Sequence, residues 1–120
     1  MAVRAIRGAT QVEADDREQV LEATRELVQT VIDRNELTSE DFVSILFTAT
    51  PDLVSEFPAL AARELGLGDV PLMCATEIAV PHALPRVLRL MAHVETPKVR
   101  ADIQHVYLRG AVALRRDIAQ

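Results

Sequence analysis

Residues 16–35 read DREQVLEATRELVQTVIDRN, and this stretch decides the fold. Val20, Leu21, Leu27, Val28, Val31 and Ile32 recur at helical spacing and form one apolar stripe. A helix is predicted from a cap at Asp15 or Asp16 to about Asn35, with Glu18 or Gln19 placed as the capping-box partner. Thr24 is the one polar member of the stripe, and its hydroxyl can bond back to a carbonyl one turn earlier. Glu18, Glu22, Arg25, Glu26 and Asp33 fall mainly outside the stripe and read as a solvated face.

Upstream, residues 2–7 (AVRAIR) read as a short strand that Gly8 breaks. Downstream, Thr38 and Asp41 suggest a short capped turn, and Phe42–Thr48 (FVSILFT) is a brief, β-branched and aromatic buried strand. Thr50-Pro51-Asp52 marks a turn. Pro58 opens a short helix over 58–65, which Gly66 ends. Val70–Thr76 (VPLMCAT) reads as a strand near a sheet edge because of Pro71. Residues 78–85 form a loop, and Arg86–Val94 (RVLRLMAHV) a longer strand that Thr96-Pro97 breaks. Gln104–Leu108 and Ala111–Leu114 are two further short strand candidates. The order predicts an α+β fold: one mixed five-stranded sheet with one long and one short helix. The long helix covers only one face, so other copies of the chain are the natural cover for the second, and an oligomer is expected.

The chain has 120 residues, and this length predicts one domain over 1–120. Aromatics make up only 3%, so the core must be aliphatic. No apolar run approaches the roughly 20 residues of a membrane span, and the N-terminus does not resemble a signal peptide. One cysteine, Cys74, excludes an internal disulfide and suggests a reducing, cytoplasmic setting. Thirteen basic and 18 acidic residues give a net charge of −5, which argues against duplex or membrane-surface partners. Of the basic residues only Lys98 is lysine; codon bias is the plain reason, and planar clamping of carboxylates by some of the arginines is the alternative.

The sequence has no GxGxxG and no P-loop, and His82, His93 and His105 lie too scattered for metal-ligand spacing. No metal or cofactor is expected. Cys74 lies in an apolar strand with no base placed beside it by any motif, so covalent catalysis is disfavoured. Along Arg86–Val94, Leu88, Leu90, Ala92 and Val94 share one face with Arg86, whereas Val87, Arg89, Met91 and His93 share the other. Arg89 is therefore either an edge-strand side chain reaching solvent or an inward guanidinium that needs an anionic partner. Glu77 closes the preceding strand without an obvious local ion partner, and Arg7 ends the first strand. Taken together, two arginines and a carboxylate near strand ends suit a small, multiply anionic ligand that carries a hydroxyl.

These residues fall within longer segments: RAIRGAT (Arg4–Thr10), TATPDL (Thr48–Leu53), FPALAAREL (Phe57–Leu65), VPLMCATE (Val70–Glu77), LPRVLRLM (Leu84–Met91), HVYL (His105–Leu108) and Ala111–Arg115. In this order, and with the long helix between the first two, the chain resembles the AroH class of monofunctional chorismate mutases. The resemblance implies a homotrimer, a pseudo-α/β-barrel with active sites between subunits. It also implies the cofactor-free rearrangement of chorismate to prephenate, on the way to phenylalanine and tyrosine. It assigns Arg89, Glu77 and Arg7 as catalytic residues: Arg89 at the ether oxygen, Glu77 at the ring hydroxyl with Cys74 close by, and Arg7 with Tyr107 at the side-chain carboxylate. Arg63 matches a more exposed charge near the ring carboxylate. Phe57, Ala59, Leu114 and Arg115 match the pocket wall and its C-terminal cover, with Arg116 beside Arg115 as the other candidate. Leu60 stands where some relatives carry lysine, and Pro81-His82-Ala83 replaces a more glycine-rich loop.

The reaction so implied needs no proton transfer and no covalent intermediate. Its rate is therefore expected to be nearly flat near neutrality and to fall at acid pH. The alternative is a non-catalytic trimeric module that binds small carboxylates on a related fold.

Overall fold

In the computed structural model, which describes residues 1–114, the long helix lies across one face of a single mixed sheet. The strands are β1 (Ala2–Gln11), β2 (Phe42–Ala49), β3 (Leu72–Thr76), β4 (Val87–Thr96) and β5 (Val106–Tyr107), in the order β3-β2-β4-β1-β5. β4 pairs antiparallel with both β1 and β2, while β3 joins β2 and β5 joins β1 in parallel. Helix α1 (Arg17–Arg34) follows β1, and the short α2 (Ala59–Ala62) follows β2.

The stripe behaves as its spacing requires. Val20, Leu21, Ala23, Thr24, Leu27, Val28 and Val31 are buried. The Asp16 carboxylate caps the helix by accepting from the Gln19 N–H at 3.1 Å, and Gln19 reaches back to the Ala14 N–H at 3.2 Å. Thr24 donates to the Val20 carbonyl at 2.7 Å, so its buried hydroxyl is satisfied inside the helix. Ile6, Leu27, Val28, Val31, Ile45, Phe47, Leu90, Ala92, Val94 and Val106 form the main core between helix and sheet.

Four local expectations are corrected. β1 does not stop at Gly8 but runs on to Gln11. Gly8 is a point of close approach instead: a Cβ there would lie 3.1 Å from Leu90 and 3.2 Å from Leu27. The last strand candidate, Ala111–Leu114, is part of a 3-10 turn over Arg109–Leu114. A four-residue apolar run has no usable periodicity, and here Ala111 is buried against Ala9 and Tyr107 rather than paired in the sheet. The short helix does not run unbroken from 58 to 65: α2 passes into a π-type turn over Arg63–Leu67, in which Gly66 takes φ +91°. Arg86 lies just outside β4 at φ +55°, held by Asp52 oxygens accepting from its N–H and by the Val12 carbonyl accepting from its Nε at 3.1 Å.

Two neighbouring connections bear on the site. The loop before α2 is tied to the start of α1: Asp15 accepts from the N–H groups of Val54 and Ser55, both at 3.1 Å, and Arg17 Nε meets Glu56 Oε1 at 2.8 Å. The segment before β5 is tied to the end of α1, where buried Asn35 both donates to the Gln104 carbonyl at 2.9 Å and accepts from its N–H at 2.8 Å.

Candidate active site

The face of the sheet away from α1 carries the arginines. Side chains alternate along each strand, so burying Ile6, Phe47, Leu90 and Val106 under the helix turns their neighbours the other way. Arg7, Ala9, Leu46, Thr48, Arg89, Met91 and Tyr107 therefore share the second face. The register brings them together: Arg89 lies opposite Ala9 on one side and Thr48 on the other, and Ala9 lies opposite Tyr107. A cavity of about 250 Å³ is lined by Arg7, Thr48, Arg89, Met91 and Tyr107, among others.

β4 is an inner strand of the sheet, so Arg89 is not the edge-strand arginine that β4 alone would suggest. Its Nε approaches both Glu77 oxygens, at 3.2 and 3.1 Å. The Glu77 carboxylate also accepts from Thr48 Oγ1 at 2.7 Å, and the Glu77 N–H donates to the Ala49 carbonyl at 2.9 Å. Glu77 thus has the ion partner that its local sequence does not show. The Arg89 side chain is 40% exposed and that of Glu77 is 17% exposed. A guanidinium held at one edge by a fixed carboxylate keeps other N–H groups for an incoming anion.

Sequence reasoning did not single out Thr48 or His105 for the site. Thr48 holds Glu77, and His105 Nδ1 accepts from the Arg7 N–H at 2.9 Å. Alternation along Phe42–Ala49 already puts Thr48 opposite the core-facing Phe47, and that signal could have found it. No local signal marks His105, whose contact spans 98 positions.

The remaining candidates divide. Leu114 packs on the cluster of Ala9, Tyr107 and Ala111, beside the arginine cavity. Cys74 is turned to the helix-covered side, where it packs against the core at the β3 edge. It also lines a separate cleft of about 300 Å³ with Phe57, Pro58 and Val54. Phe57 is 69% exposed, Ala59 is buried at the start of α2, and Arg63 is exposed on the turn that follows. None of these three lines the arginine cavity. Leu60 is half-buried in α2, and Arg115 and Arg116 lie outside the described residues.

The loop bearing Phe57 is electrostatically pinned. Asp15 lies below its ordinary value of 3.8, lowered first by the neighbouring Ser55 side chain and then by hydrogen bonds from the Val54 and Ser55 N–H groups. Glu56 is likewise lowered, first by the Phe57 N–H and then by Arg17.

An α+β chain whose open sheet face carries a carboxylate-held guanidinium beside a second arginine has the groups that suit a small anionic ligand. Comparison makes this specific. Residues 3–118 match the sequence profile of the family described as chorismate mutase type I. The chain is 48% identical over 117 residues to chorismate mutase AroH of Thermus thermophilus, covering 97% of this chain and 96% of that protein. It is 43% identical over 120 residues to chorismate mutase AroH of Bacillus subtilis (strain 168), covering 99% and 94%. A solved structure of chorismate mutase from Clostridium thermocellum superposes with a TM-score of 0.91 at 44% identity, over 92% of this chain and 98% of that one. The chain belongs to the chorismate mutase type I family.

Proposed function

We infer that the chain is a chorismate mutase: an isomerase that converts chorismate to prephenate for aromatic amino acid biosynthesis. The observation that carries the mechanism is the Arg89–Glu77 pair on the open sheet face, beside Arg7 and Tyr107. The reaction is a unimolecular [3,3] shift, in which a C–O ether bond breaks as a C–C bond forms. No proton moves, and every atom of the substrate is kept.

An enzyme for this step must hold a flexible molecule in its reactive chair-like shape and stabilise charge that appears only on the way. Negative charge grows on the enolpyruvyl oxygen as the ether opens. Arg89 supplies a preorganised cation to that oxygen, which helps more in the transition state than in the ground state. Glu77 holds the Arg89 guanidinium in place and takes the ring hydroxyl. Arg7 and Tyr107 take the side-chain carboxylate, with Leu114 and Arg115 as the C-terminal cover.

The site is completed by a neighbouring subunit in a homotrimer. Phe57, Ala59 and Arg63 lie away from the arginine cavity, so a second copy of the chain would bring them to it as the opposite wall. Cys74, in the Phe57-lined cleft, belongs to that junction. Two observations support this reading: the 250 Å³ cavity is small against the roughly 300–1,000 Å³ of complete ligand sites, and the open sheet face leaves Met73 and Val3 exposed. A single domain spanning the chain, a cytoplasmic setting, and the absence of nucleic-acid or membrane partners belong to the same proposal. Among the described residues no helix is long and apolar enough to cross a membrane.

Incubating purified protein with chorismate and following the loss of its ultraviolet absorbance tests the activity. Loss no faster than in buffer would refute it and leave the non-catalytic binding module. That module would bind chorismate no more weakly than a transition-state mimic, whereas a catalyst binds the mimic tighter.

A further inference from the structure

We infer that Asp15 is a positioning residue for Phe57: from the capped start of α1 it holds the loop that presents this ring to a neighbouring subunit's site. The inference rests on the chorismate mutase reading above, in which Phe57 belongs to the opposite wall of the cleft. Residues 53–57 lie outside every helix and strand, so their backbone has no ladder to fix it. The Asp15 carboxylate stands in for one. It accepts from the Val54 N–H at 3.1 and 3.2 Å and from the Ser55 N–H at 3.1 Å.

The anchor is itself fixed. Asp16 caps α1 by accepting from the Gln19 N–H, and the Gln19 side chain accepts from the Ala14 N–H at 3.2 Å. The Asp16 N–H donates to the Ala14 carbonyl at 2.9 Å, so the residues on both sides of Asp15 are tied down. A second link joins the same two segments, where Arg17 meets Glu56 at 2.8 Å, but the Arg17 side chain is 53% exposed. An exposed ion pair contributes little, so the two backbone N–H groups gripped by Asp15 carry most of the restraint.

The loop needs such a restraint. Phe57 and Val54 are both exposed, beside a cleft of about 300 Å³ that they line with Cys74 and Thr76. An unrestrained loop would sample many placements of the ring, and binding would have to repay that freedom. A wall residue of this kind packs on substrate and transition state alike, so misplacing it weakens binding more than it slows the chemical step.

Steady-state kinetics with chorismate on the wild type, Asp15→Ala, Phe57→Ala and the double variant test this, with circular dichroism and light scattering as controls for fold and assembly. Asp15→Ala should raise KM about tenfold and change kcat less than about threefold. Asp15 acts through Phe57, so the double variant should match Phe57→Ala within about twofold. Hydrogen exchange followed by mass spectrometry should quicken over residues 53–57 in Asp15→Ala and stay unchanged in the second half of α1. A wild-type KM in Asp15→Ala, or KM effects that multiply in the double variant, overturns the inference. If Asp15→Ala does not fold, Asp15→Asn decides: it keeps the side-chain volume and one acceptor oxygen, its KM should rise about threefold, and an unchanged KM overturns the inference. A wild type without turnover would sink the reaction and this role together. An active wild type with an unaltered KM in Phe57→Ala would sink the Phe57 wall and this role, whereas a raised KM in Phe57→Ala alone would sink only the role of Asp15.

Discussion

Arg89 on β4 and Glu77, the residue just after β3, hold each other on the uncovered sheet face, with Nε 3.1 and 3.2 Å from the two carboxylate oxygens. The pair is part-exposed, so it adds little to folding stability. Its consequence is geometric. The carboxylate holds the guanidinium from one side, and under the proposed mechanism the cation would need little reorganisation as charge develops.

Replacing Arg89 should therefore damage the rate and not the fold. Arg89→Ala is expected to lower kcat by about a thousandfold or more, the scale of losing a preorganised charge donor. Arg89→Lys keeps the charge but not the planar fork, and should still fall by about a hundredfold. Turnover at a fixed chorismate concentration, with circular dichroism as the folding control, checks both. Near wild-type turnover in Arg89→Ala would refute the electrostatic mechanism.

Thr48 tests whether Glu77 must be held. Thr48→Val conserves shape and removes the 2.7 Å hydrogen bond to Glu77. A loss of about tenfold in kcat/KM is expected, one hydrogen bond to a charged group. An unchanged kcat/KM would show that Arg89 alone orients the carboxylate.

A site shared between subunits predicts complementation. Arg89→Ala and Phe57→Ala would damage opposite walls of the same cleft. Denaturing and refolding the two variants together should produce some sites that carry both wild-type walls, and activity above the sum of the separate variants. A mixture no more active than its parts, from material that light scattering shows to be oligomeric, would place the whole site within one chain.

Asn35 is buried and satisfies both backbone polar groups of Gln104. Asn35→Leu leaves those groups without partners and should cost about 2–3 kcal/mol. The urea midpoint should fall accordingly with little change in m-value.

Asp15 gives a pH signature. Its folded carboxyl lies below the ordinary value of 3.8, lowered first by the Ser55 side chain. A depressed carboxyl contributes stability that is fully present above its unfolded pKa and lost as pH falls through the folded one. Asp15→Asn should therefore flatten stability against pH in the acid region below about pH 5, measured by thermal melts. An unaltered acid slope would mean that the clamp on the Phe57 loop does not titrate as its hydrogen bonds imply.

Much of this architecture was legible in linear order. The α1 stripe and the back-bonded Thr24 follow from spacing, because a helix of 18 residues samples its own period several times, whereas the cap was legible only as Asp15 or Asp16 and the structure places it at Asp16. Alternation within β4 separated Arg89 from the core-facing leucines for the same reason. Boundaries failed where contacts at long separation decide them. Gly8 looks like a breaker until Leu27 and Leu90 are seen to press on it. Ala111–Leu114 looks like a strand until Ala111 is seen buried against Ala9 and Tyr107.

The sequence by itself determined which residues could carry the chemistry: Arg7, Glu77, Arg89 and Tyr107 are named by residue type, strand alternation and family likeness. Only the tertiary structure decided which of them meet. The register of β1, β2 and β4 sets Thr48 beside Arg89, the end of β3 delivers Glu77 to both, and the short β5 leaves His105 to complete the ladder at Arg7. Periodicity reports which side of an element is buried because it is a local property of the chain. Partners 12, 29 and 98 positions apart are set by how elements align, and no local pattern encodes that alignment.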